Sequence, residues 1–246
     1  MPETTRFWTE ISFNIVYLVT AWWIVVLMFS RRSMVAEGNR KTAALLLWAF
    51  FFLGLGDIGH VGFRLAAFAL NGLETSVLVF GRQLKIAPMG SLATAVTFTL
   101  FYIIMIMVWK EHFNKSYGWF CYLLFAIAAV RLLLMTHPSN GWNSLEVQQT
   151  WSIYRNVPLM LMQLGVAYLI LRDAIDQNDK TFKWIGALIL MSFACYAPVI
   201  FLHKQVPLIG MLMIPKTIAY IIIAFFGLFK FYPKRIQPVF CESKTR

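Results

Sequence analysis

Residues Ala43–Leu70 read AALLLWAFFFLGLGDIGHVGFRLAAFAL. A bilayer hydrocarbon core is spanned by about 20 apolar helical residues, so this stretch is long enough to cross. It also holds three ionisable side chains, Asp57, His60 and Arg64. A charge in that position is expensive, and it faces a partner or a polar cavity rather than lipid. The stretch therefore predicts both a membrane helix and a functional centre on it.

Six further apolar stretches repeat the pattern. The spacing predicts spans at about Phe7–Ser30, Ala43–Leu70, Pro88–Trp109, Gly118–Thr136, Trp151–Leu171, Trp184–Leu202 and Pro207–Lys230. Backbone groups in lipid must be satisfied within the segment, so each span is expected to be α-helical. Composition agrees: 59% of the 246 residues are hydrophobic and only 13% are charged. The expected architecture is all-α, a polytopic seven-helix bundle forming one domain over 1–246. A short basic cytoplasmic tail is expected over 231–246.

The net charge of +11 would fit a nucleic-acid binder, but its distribution excludes that reading. Of the 22 lysines and arginines, fourteen fall on one set of connectors and the tail: Arg31, Arg32, Arg40, Lys41, Lys110, Lys115, Arg172, Lys180, Lys183, Lys230, Lys234, Arg235, Lys244 and Arg246. The other connectors hold only Arg6, Arg82, Lys85 and Lys204. Basic loops stay cytoplasmic, which predicts the N-terminus outside, the C-terminus inside, and the plasma (inner) membrane as location. Arg31 and Arg32 follow the first apolar run, so helix 1 is expected to be retained and not cleaved. Membrane lipids are the expected surroundings, and a receptor of this size would need a signalling partner protein. Cys121, Cys195 and Cys241 give no paired spacing. His60, His112, His137 and His203 are scattered, so no metal site is expected.

Asp57, His60 and Arg64 stand at i, i+3 and i+7 and share one helix face. A carboxylate one turn from an imidazole can orient it, and an arginine further on can hold an anion. The glycines around them permit close approach of a helix or a ligand. Lys216 is a second intramembrane charge, and Pro215 before it is expected to weaken the helix ladder. Arg131, Arg155 and Asn156 fall toward the same end of the bundle as Arg64. Gln163, Tyr196 and Tyr220 supply further polar groups. Connector 71–87 is expected to be a surface loop or a dip toward the membrane. Connector 137–150 is expected to be a loop or a lid, and connector 172–183 a solvated segment.

These residues predict an outward-facing intramembrane pocket that binds a small anionic or amphipathic ligand. The protein would then be a receptor, or a carrier with Asp57 and His60 as proton relay. An intramembrane lipid-modifying enzyme is the second reading, with His60 as base and Asp57 orienting it. Seven helices with a lysine in the seventh also resemble the plan of retinal proteins. That resemblance covers topology and Lys216, and it implies retinal held on Lys216 with Asp57 as an unusual counterion. It departs from the pattern in helix 3, which has no acid, and at Leu212, one turn before the lysine, where microbial retinal proteins carry a carboxylate.

Overall fold

The computed structural model describes residues 3–70, 72, 75–79, 82–144 and 148–233, with no side-chain detail before Ser12. Seven long helices carry the fold: α1 (Glu3–Ser30), α2 (Arg40–Leu70), α3 (Ile86–His112), α4 (Trp119–Thr136), α5 (Gln149–Asp176), α6 (Lys180–Leu202) and α7 (Met213–Phe231). Each is long and apolar enough to cross a bilayer, and the chain is a multi-pass membrane protein. Consecutive helices pack against one another and α7 returns to α1, closing a ring in which α3 also touches α5.

α3 and α5 overrun their apolar stretches at both ends and α1, α2 and α6 at the start, because polar residues such as Arg40, Lys110 and Arg172 continue a turn once its hydrogen bonds are running. The seventh span differs more. Pro207–Leu212 is a 3-10 turn, and α7 begins only at Met213. Pro215 therefore sits in the first turn of α7, where a missing N–H costs nothing, and it makes no mid-helix kink. Lys216 is likewise in that first turn. Pro158 and Pro198 do lie inside their helices.

Connector 71–87 contains an antiparallel hairpin instead of a plain loop: β1 (Ser76–Val79) pairs with β2 (Arg82–Lys85). Val77 and Leu78 are exposed on it, while Phe80 is outside the described residues. The hairpin marks one end of the bundle, called here the hairpin end. Segment 137–144 folds over this end. Its 3-10 turn Pro138–Asn140 is held by Asn140 Nδ2, which donates to the Leu134 carbonyl at 2.5 Å. Trp142 Nε1 donates to Met135 O at 2.7 Å. Asn143 pairs with the backbone of β2, accepting from Lys85 N at 2.6 Å and donating to Gln83 O at 3.0 Å.

The opposite end, called the far end, is cross-braced. Connector 172–183, read from the sequence as solvated, supplies two engaged acids. Buried Asp173 accepts from Trp109 Nε1 at 2.6 Å and pairs with Arg172 at 2.8 Å. Asp179 caps α6 by accepting the Phe182 N–H at 3.1 Å, and takes hydrogen bonds from Lys230 and from His112 Nε2, the latter at 2.8 Å. The His112 ring stacks on Phe182 at 3.9 Å, and Tyr232 ties the end of α7 to the Ala43 carbonyl at 2.7 Å. Burial would raise the Asp179 carboxyl, but its bonds to Lys230, His112 and the Phe182 N–H outweigh that and hold it down to about 2. The expected basic tail lies outside the described residues from 234 onward, as does Cys241.

Packing density falls along α2. Before Asp57, residues such as Ala43, Leu46, Ala49, Phe50 and Leu53 are buried in the main core. Beyond Asp57 only Ala67 is buried among the described side chains. There its close contact among the described residues is with α3. The two helices approach closely through glycines. A Cβ on Gly90 would lie 2.7 Å from the Gly59 carbonyl oxygen and 2.8 Å from His60 Cα. Thr94 Oγ1 donates across the seam to Gly56 O at 2.9 Å.

Candidate functional site

The polar centre starts with Asp57. Tyr17, on a mostly exposed stretch of α1, turns its ring inward and its hydroxyl donates to Asp57 Oδ2 at 2.5 Å. From α7, Lys216 interacts electrostatically with the same carboxylate without reaching ion-pair distance. The lysine is 7% exposed. Its ammonium sits 4.2 Å from the centre of the Tyr196 ring and 4.7 Å from that of Phe98. Among the described residues no hydrogen-bond acceptor meets it. The two ring faces stabilise the desolvated cation by about 2 kcal/mol or more, while its three donors are left for something else.

Tyr196 is a hub. Its hydroxyl donates to Asn156 Oδ1 at 3.0 Å, and Arg131 and Arg155 both act on it electrostatically. Arg131, 1% exposed, donates to the carbonyls of Ala95 at 2.6 Å and Arg155 at 2.9 Å, and to the Thr99 hydroxyl. Pro158 has no N–H, so the carbonyl it leaves free in this turn of α5 is that of Tyr154, next to the Arg155 carbonyl that accepts Arg131. Half-buried Arg155 places its guanidinium 4.4 Å from the Trp142 ring centre, and its Nη1 is buried without a partner. Below this layer the Tyr102 and Tyr220 hydroxyls meet at 2.5 Å. Gln163 Nε2 bridges to Ser192 Oγ at 3.1 Å and Ile189 O at 3.2 Å.

Three cations, Lys216, Arg131 and Arg155, thus gather around Tyr196, with Asp57 the one carboxylate near them among the described residues. An excess of positive charge away from water is costly unless an anion balances it. The other sequence-predicted residues stand apart. Arg64 is exposed at the hairpin half of α2. His60 makes no hydrogen bond to Asp57, and its Nδ1 is buried without a partner. Gln163 and Tyr220 are held in interhelical bonds.

Sequence reasoning missed Tyr17, Phe98, Thr99 and Trp142. The first two are aromatics within apolar runs, and no local signal distinguishes an aromatic that turns inward. Among the described residues no group of histidines, cysteines and acids is placed to hold a metal. No family model matches the chain, and no curated protein or solved structure is significantly similar to it.

Proposed function

We propose that this membrane protein binds a small anionic or amphipathic ligand at the polar centre around Tyr196, as a receptor or a proton-coupled carrier. The observation that carries the reading is the charge imbalance among the described residues: Lys216, Arg131 and Arg155 against Asp57, with no acceptor there at Lys216 and an unpartnered Nη1 on Arg155. Arg131 sets the field of the site, its own donors being spent on backbone. Lys216 and Arg155 offer the free donors. The distribution of basic residues supports the hairpin end outside and the far end in the cytoplasm, so the centre faces outward. Native mass spectrometry of the gently extracted protein beside Lys216→Ala checks this. The expected result is a non-covalent mass present in the parent and lost in the variant; empty protein in both counts against the pocket.

A second reading is favoured by one observation: Lys216 and Asp57 lie near enough across the bundle to interact electrostatically, though not in ion-pair contact. A lysine so placed fits a covalent aldehyde ligand such as retinal. Visible absorbance on adding retinal, lost in Lys216→Ala, is the expected signature, and a colourless protein removes the reading. The enzyme reading has less support, since Asp57 bonds to Tyr17 and leaves His60 without an orienting carboxylate.

A further inference from the structure

The side of the bundle between α2 and the α1–α7 pair carries a graded polar track. Arg64 is exposed, His60 is half-buried one turn further in, and Asp57 is half-buried beyond it. Lys216 lies at the deep end, 7% exposed. The track covers about 10 Å along α2, seven residues at 1.5 Å each. Its flanks are apolar and exposed: Ile58 at 43%, Phe63 at 36% and Leu65 at 43%. Exposed apolar side chains on a membrane-spanning helix face lipid, so those flanks border the bilayer. The other approach, along the bundle axis from the hairpin end, is crossed by connector 137–144, with Trp142 on Arg155 and Asn143 on β2.

We infer that the ligand is a single-chain amphiphile with an oxyanion headgroup, a carboxylate of the fatty-acid kind, which enters sideways from the membrane along this track. The inference rests on the anion-pocket reading and adds the ligand's class and route. Arg64 meets the headgroup near the membrane surface, as a guanidinium meets a carboxylate in bidentate fashion. His60 Nδ1, buried and unpartnered, offers a polar stop midway. Lys216 receives the headgroup at the end, against the rings of Phe98 and Tyr196, and the chain trails between exposed apolar side chains into lipid. A small water-borne oxyanion shares the headgroup chemistry but has no use for the apolar flanks.

The test uses the full chain in uncharged maltoside micelles with [1-13C]oleate, following the carboxyl resonance, beside [1-13C]acetate and inorganic phosphate at equal concentration. A saturable bound-oleate signal is expected, weakened roughly tenfold or more in Lys216→Gln, the loss of a charged hydrogen bond. Lys216→Arg, which keeps the charge, is expected to retain it. Exposed Arg64→Gln is expected to slow oleate exchange into the site several-fold, and it gives an answer even where Lys216→Gln does not fold. Acetate or phosphate binding as tightly as oleate overturns the amphiphile and leaves the anion pocket standing. Exchange unaltered by Arg64→Gln overturns the lateral route. No signal dependent on residue 216 from any of the three probes overturns both the inference and the pocket.

Discussion

Arg131 shows how a cation is kept in the interior of a membrane protein without a carboxylate. Two backbone carbonyls and a threonine hydroxyl from α3 and α5 take its donors, which makes it a rivet between three helices. Replacing it by methionine is expected to destabilise the fold by roughly 1.5–3 kcal/mol, the range for hydrogen bonds to charged groups. The check is a lowered unfolding temperature in detergent. Lysine is expected to rescue little, because a point ammonium does not reproduce the guanidinium fork. The sequence marked Arg131 as important but not its role. Its acceptors are backbone atoms at Ala95 and Arg155, and any residue there carries a carbonyl. The same holds for Asp57, whose bonded partner Tyr17 is 40 residues away. Which aromatic turns inward is settled by packing and not by residue type.

At the scale of elements, hydropathy made the helices legible because lipid leaves the backbone no alternative. Their ends were less so. The 3-10 turn before α7 and the hairpin after α2 have no period distinct from the apolar runs beside them. The glycines of α2 were legible as a point of close approach, and it is α3 that approaches, at Gly90. In connector 172–183 the solvated reading holds for exposed Asp176 but not for Asp173 or Asp179, whose bonding partners Trp109, His112 and Lys230 are remote in sequence. Asp179 gives this a measurable form. Its carboxyl is held at about 2 in the folded protein, against about 3.9 when unfolded. A depressed acid contributes stability that is fully present above pH 4 and is lost as pH falls through 4 toward 2. The unfolding temperature is expected to drop across that window, and to drop less in Asp179→Asn. Equal pH profiles for the two proteins would contradict the assignment.

For the whole molecule, the ring closure of α1 on α7 was not legible, since helix order around a bundle depends on faces too evenly apolar to rank. The charge asymmetry was, and it predicts orientation. With the native cysteines replaced, a membrane-impermeant maleimide is expected to label Ser139→Cys in intact cells. Asp176→Cys, at the far end, is expected to react only after the membrane is opened; the reverse pattern inverts the topology. The uneven packing of α2 has a mechanical meaning as well. Its far half is embedded in the main core and pinned where Tyr232 reaches Ala43. Its hairpin half is fused to α3 along the glycine seam, and Ala67 is the one side chain beyond Asp57 that is buried among those described. The pair is a beam with a stiff root, and Asp57 sits at the boundary. Its tip is tied to residues 137–144 through Asn143, so a displacement of that end is handed on to the segment whose Trp142 lies against Arg155.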